Sequence, residues 1–239
     1  MDESAVTSRM QSLLEQWAIE DDHKAVFLSC YQMMTHNMLA AIEQHEFNDP
    51  AWVDLLLQRF ADYYFVALEA YEQNPAAAPL AWQLAFNSTR DPKALPLQNL
   101  LLGVNAHINY DLVLALVDLL EPEWDSLSED QREQRFADHQ HVNEVISQTV
   151  DDVQDQILEP SMPVMELIDR LLGKYDEILI SRLLSQWREA VWEDAVHLLE
   201  AHQQEVRSAL IQQVEKKAYR LGEMIYIGDS DRYASSQNL

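Results

Sequence analysis

From Leu97 to Leu119 the chain sets Leu97, Leu100, Leu101, Val104, Ile108, Ala115 and Leu119 on one face of a helix turning roughly 100° per residue. Two polar residues interrupt that face: Asp111 falls near its middle and His107 on its flank. The pattern therefore predicts a helix over about 95–120 that buries a carboxylate and an imidazole. After Tyr110 the segment is apolar nearly all round, as in a helix wrapped by others. A buried carboxylate costs several kcal/mol, on the order of 3–5, unless it is paired, hydrogen-bonded or protonated, so another part of the fold must face it.

The same reading gives the other elements. Met10, Leu13, Leu14 and Trp17 mark a short amphipathic helix over 4–19, and Asp21-Asp22 offers the cap for the next. That second helix, to about Glu46, carries the stripe Phe27, Tyr31, Met34, Met38, Ala41 and Ile42. Asn48-Asp49-Pro50 stops it and restarts a third helix over about 50–72, with Trp52, Val53, Leu56, Phe60, Tyr63 and Ala67 inward. A loop from Asn74 to Pro79 precedes a short helix holding Trp82, Leu84 and Phe86. Ser128-Glu129-Asp130-Gln131 resembles a capping box opening a long helix to about Glu159, with Val142, Ile146, Val150, Val153 and Ile157 inward. A short helix to Leu172, one or two helices over 175–221 and a frayed tail complete the chain.

Long periodic helices, with 4 glycines and 8 prolines in 239 residues, give an all-α fold: a single-domain multi-helix bundle around the central hydrophobic helix. Residues 1–20 read as an N-terminal helical extension, 21–221 as the helical domain and 222–239 as a flexible C-terminal tail. The formal charge of −25 is spread along the chain, which argues against nucleic acid and anionic membrane surfaces as partners. The expected partners are a small molecule or a basic protein. One cysteine, Cys30, and a start without a basic, apolar leader point to the cytoplasm; no uninterrupted apolar run suggests a membrane span.

Three helices send polar groups inward. His139 falls inside the stripe of the 129–157 helix, with Asn143 on its edge, and Arg188 lies in the stripe of Leu184, Val191, Ala195, Leu198 and Leu199, beside Trp187 and Trp192. An inward arginine wants a carboxylate, and Asp111 is the natural candidate. Gly103, one turn before His107, leaves room for a close approach. Tyr31 and Tyr63 could add hydroxyls. For a transition metal the candidate ligands are His107, Asp111 and His139, although the paired Glu-x-x-His motifs of di-iron bundles are absent from the sequence. No dinucleotide, Walker, zincin or serine-hydrolase motif is found.

Gly103-Val104-Asn105-Ala106-His107-Ile108-Asn109-Tyr110-Asp111-Leu112, with Arg59-Phe60-Ala61-Asp62-Tyr63-Tyr64 upstream, resembles an uncharacterised bacterial family with a Gly-x-Asn-Ala-His-Ile-x-x-Asp-Leu core, catalogued as a domain of unknown function. The similarity runs from about Val26 to Leu199, leaving the first helix and the tail outside it. The resemblance implies an all-helical domain, supports Asn105, His107, Asp111, Asn143 and Trp192 as motif positions, and brings no activity. At His139 the family leads one to expect an aromatic residue.

Two readings follow. In one, the chain is a small-molecule enzyme, hydrolase-like or metal-dependent. His107 and Asp111 are then catalytic, and Asn105, Asn143, Arg188, Tyr31, Tyr63 and Trp192 hold the substrate. In the other it is a non-catalytic binding or scaffolding protein whose inward polar groups fix helix register.

Overall fold

A computed structural model describes the backbone of residues 5–156 and 176–236, and side chains over 5–149 and 181–226. The described residues are helical, without a strand: α1 (Ala5–Glu20), α2 (Lys24–Glu43), α3 (Pro50–Gln73), α4 (Leu80–Ser88), α5 (Pro96–Ala106), a π turn (His107–Asp111), α6 (Leu112–Leu120), α7 (Glu129–Gln156), α8 (Asp176–Glu200) and α9 (Gln204–Ser236). Single 3₁₀ turns at Pro75–Ala77 and Trp124–Ser126 sit in the connections. Val150, Val153 and Ile157 of the expected stripe, and the short helix expected to end at Leu172, lie outside the residues whose side chains are described.

Local chemistry explains where helices begin. Asp49 caps α3 by accepting the Trp52 N–H at 3.0 Å, with Pro50 in the first turn, where its missing N–H removes no helical bond. The turn before α3 is then pinned from α7. The Asp138 carboxylate accepts the Asn48 and Asp49 backbone N–H groups at 2.7 and 2.9 Å, while Arg135 grips Asp49 at 2.6 Å and Glu123 at 3.0 Å. Ser128 and Gln131 form the reciprocal cap that opens α7, through bonds of 3.3 and 2.9 Å.

The 95–120 segment is indeed the centre. α5 packs on α2, α4 and α9, α6 packs on α3 and α8, and the π turn between them touches α3, α8 and α9. Taken as one 25-residue run, Pro96–Leu120 is long and apolar enough to cross a membrane, but 67% of its most apolar window is buried within the protein. Its hydrophobicity is spent on the core. Two apolar clusters meet along it. One is built on Leu112, Leu116, Leu120, Leu184 and Leu198, the other on Phe27, Tyr64, Trp82, Phe86 and Leu102, and both Val104 and Tyr110 pack against each cluster.

Helices near both ends pack on the rest of the fold. α1 is an integral layer: Met10 and Trp17 are 0% and 2% exposed, within the Phe27 cluster. Beyond residue 221 the chain continues as helix through Ser236. Gln98 Nε2 donates to the Tyr226 carbonyl at 3.1 Å, and the Tyr226 hydroxyl donates to Asp91. Gly222 and Gly103 mark close approaches. A Cβ on Gly222 would come within 2.8 Å of Leu84, and one on Gly103 within 2.6 Å of the Phe27 ring, so the predicted close approach at Gly103 is made by a neighbouring side chain of α2.

Candidate functional site

His107 and Asp111 open and close the π turn, in which the Leu112 N–H reaches back five residues to the His107 carbonyl. Such insertions into an α-helix are uncommon and cluster at functional sites. Both side chains are buried, 3% and 1% exposed. His107 Nδ1 lies 2.9 Å from Asp111 Oδ2, and the Trp82 indole N–H donates to the same oxygen at 2.9 Å. Asp111 is thus met from α4, not by Arg188: the expected Asp111–Arg188 pair does not form.

Aromatic rings wall the imidazole. Phe60 lies face to face on it, with centroids 3.5 Å apart and planes within 6°, and the Tyr31 ring meets it edge-on at 4.4 Å. Phe27, Tyr64 and Trp82 complete the wall at 5.8, 6.1 and 6.1 Å. In this apolar box burial pushes the His107 imidazole well below its usual range and the Asp111 carboxyl well above its own, against the lowering pull of the Trp82 hydrogen bond. Both shifts favour neutral forms, so the pair is a hydrogen-bonded neutral couple sharing one proton between Oδ2 and Nδ1.

That couple is incompletely satisfied. His107 Nε2, Asp111 Oδ1 and the Tyr31 hydroxyl are buried without hydrogen-bond partners; the nearby Thr35 hydroxyl is committed to the Tyr31 carbonyl at 2.8 Å. Burial, with the Asp111 carboxyl next in weight, raises the Tyr31 phenol well above its usual range, so it too stays protonated. Unpartnered buried polar atoms are rare, and each costs about 1–3 kcal/mol.

The other candidates form a separate cluster between α7 and α8. Arg188 donates from Nη2 to the His139 carbonyl at 2.7 Å and from Nε to Asn143 Oδ1 at 3.0 Å. His139 Nε2 donates to the Arg188 carbonyl at 2.9 Å, which leaves Nδ1 to accept from Nη2 at 3.3 Å. Trp192 tilts against His139 at 5.3 Å. Burial brings the guanidinium down to about 9, and burial together with that cation holds His139 well below the usual imidazole range. The His139 ring packs against Trp192 as an aromatic side chain would.

The two clusters share no hydrogen bond or ring contact among the described residues. His139 therefore does not join His107 and Asp111, and among the described residues no group of three or more His, Cys, Asp or Glu side chains could hold a metal ion. The three-ligand set expected from sequence is not assembled. Arg188, Asn143 and Trp192 likewise lie apart from His107. Asn105 holds α9 by donating to the Ala218 carbonyl at 2.9 Å and accepts from Asn109 at 3.1 Å, so its amide is occupied. Tyr63 is turned to the rim, donating to Asp118 Oδ2 at 2.9 Å. Tyr31 alone of the expected substrate-binding residues reaches the His107–Asp111 pair. Trp82 and Phe60 were missed as site residues, because their spacing marks them only as core.

A family model described as a family of unknown function, DUF5995, matches residues 4–227. The chain belongs to DUF5995. The match takes in α1 and nearly three-quarters of α9, beyond the 26–199 span carried by the motif, which agrees with the packing of both helices in the DUF5995 fold. No curated protein matches the chain, and no solved structure does.

The two clusters should answer acid differently. An unfolded histidine takes a proton below about pH 6.5, whereas buried His139 refuses it, so stability falls as pH falls through that range. For the 107–111 couple the two directions oppose each other, the lowered imidazole weakening the fold as pH falls and the raised carboxyl strengthening it. Between about pH 7 and 5.5 the stability advantage of the parent over His139→Gln is expected to shrink by about 1 kcal/mol, read by urea unfolding at both values. An unchanged difference would mean that His139 takes up a proton in the folded state.

Proposed function

We propose that this protein is a small-molecule enzyme in which His107 is the general acid and base and Asp111 supplies and recovers its second proton. The observation that carries this reading is the contrast between two buried polar clusters. The Arg188–His139–Asn143 network bonds its groups to one another, as a structural network does. The His107 couple instead leaves Nε2, Oδ1 and the Tyr31 hydroxyl unspent, on a π turn, inside an aromatic box.

The chemistry follows from the atoms. With the shared proton on Asp111 Oδ2, Nε2 carries its own hydrogen and can donate it to a bound molecule while Oδ2 passes its proton to Nδ1. The carboxylate so formed remains held by the Trp82 indole N–H and the new Nδ1–H. The reverse transfer restores the couple. General acid–base catalysis of this kind contributes about 10²–10⁴-fold. The reaction needs no third protein ligand, and a metal version would need ligands beyond these two side chains.

The cytoplasm, inferred from the single cysteine, belongs to the same proposal. The competing reading is a scaffold whose only ligand at His107 is internal water. A substrate screen decides between them: incubation with a mixture of uncharged small metabolites, followed by mass spectrometry, should show a component consumed by the parent and at least 100-fold more slowly by His107→Gln. No consumption, or equal consumption by the variant, would favour the scaffold.

A further inference from the structure

α7 carries two histidines that keep opposite company. His139, fully buried, lies against Arg188 of α8: its Nδ1 is 3.3 Å from the guanidinium Nη2, and its Nε2 donates to the Arg188 carbonyl at 2.9 Å. His141 is half-buried between two carboxylates, with Nε2 3.4 Å from Glu46 and Nδ1 3.2 Å from Glu144. No negative charge offsets the His139–Arg188 contact among the described residues. On α7, Asp138 spends both carboxylate oxygens on the Asn48-Asp49 turn. On α8, Glu189 and Glu193 are exposed, and from α2 Glu46 meets His141 instead. Arg188 is the charged group that acts on the His139 ring.

A proton on Nδ1 removes the lone pair that accepts from Arg188 and sets a second buried cation beside a guanidinium still charged at neutral pH, since burial brings it down only to about 9. Parting the two helices lets water reach both charges. α7 packs chiefly on α2 and α8, and its fastening to the α2 side does not involve His139. There Asp138 holds the backbone of Asn48 and Asp49, Arg135 grips Asp49, and Asn37 donates to Thr149 at 3.0 Å.

We infer that the His139–Arg188 contact is an acid-released latch: a proton taken up at His139 parts α7 from α8 and leaves α7 on α2. The seam that opens holds Val142 and Ile146 of α7 and Leu184 and Val191 of α8, all members of one apolar cluster. Each lies three, four or seven residues from His139 or Arg188, on the same helical face. With the opened histidine titrating at its ordinary value of about 6.5 and the closed one refusing the proton, the opening constant rises about eightfold from pH 7 to pH 5.5. The inference stands apart from the acid–base reading of His107.

Thiol labelling of the full chain tests it. Val142→Cys reports the α8 side of α7, with Ile146→Cys as a second reporter on that face. Val145→Cys, in register with Asp138 and Thr149, reports the α2 side. Each is labelled with a pyridyl disulfide at both pH values, each rate is divided by that of an unprotected thiol at the same pH, and mass spectrometry counts Cys30 separately. Labelling at 142 and 146 is expected to quicken about eightfold on acidification, and labelling at 145 less than about twofold. His139→Gln offers Arg188 the same acceptor and donor without a titrating ring, so in that background the acid response at 142 and 146 should vanish. Equal quickening at 142 and 145 would mean that acid loosens the whole fold, and a response that survives His139→Gln would assign it to another group. No quickening at 142 or 146, or no labelling there at either pH, would mean that α7 stays on α8. Each of these three results overturns the latch.

Discussion

Replacing Trp82 with alanine is expected to lower stability by about 3–5 kcal/mol, the range for deleting a fully buried large aromatic side chain. Trp82 is 1% exposed, stacks on Phe86 at 4.9 Å and meets Phe27 at 5.6 Å and Tyr64 at 5.2 Å, so its removal opens a void shared by α2, α3 and α4. It also takes the indole donor from Asp111 Oδ2. Trp82→Phe separates the two effects. It keeps an apolar ring, loses the N–H, and should cost about 1–3 kcal/mol by leaving a buried acceptor short of a donor. Urea unfolding measures both, and a phenylalanine variant as stable as the parent would show that the indole hydrogen bond contributes nothing. Because that hydrogen bond is what opposes burial at Asp111, Trp82→Phe should also push the carboxyl further up, visible in its ¹³C titration.

Arg188→Ala is expected to cost about 2–6 kcal/mol, about 1–3 for each of two stranded acceptors, for a different reason. The guanidinium is the donor to the His139 carbonyl and to Asn143 Oδ1, and its loss strands both acceptors between α7 and α8. Arg188→Met keeps the stem and removes a charge that burial has already brought down to about 9, so it should lose less than alanine does. The same residue tests the corrected partnership. Combined with Asp111→Asn, Arg188→Ala should add to within about 0.5 kcal/mol, as expected of sites that share no partner. A larger coupling would restore the Asp111–Arg188 pair suggested by the sequence.

Much of the site was legible residue by residue. Helical periodicity put His107, Asp111, His139 and Arg188 inward, and all four are buried, because turning an amphipathic helix fixes which face meets the core. The spacing of four between His107 and Asp111 already allowed them to meet along one helix. Trp82 was invisible as a partner for Asp111, since it lies 29 residues away in an apolar helix where a tryptophan reads as packing. The π turn was equally hidden, as one extra residue in a helical turn leaves no mark on the hydrophobic pattern. Near the C-terminus, α9 runs on to Ser236. Before Gly228 that helix is held by Tyr226, Gln98 and Asn105, contacts that composition cannot report.

By itself, then, the sequence determined the all-α class, the central hydrophobic segment and which polar side chains turn away from water, all consequences of local periodicity. Only the tertiary structure decided who meets whom. Helix packing sent Trp82 to Asp111, set Phe60 on His107 and gave Arg188 to His139 and Asn143. The reason is that a helix's own pattern fixes the direction of its side chains, while their partners depend on the rotation and height of neighbouring helices, which is settled by the packing of the whole core.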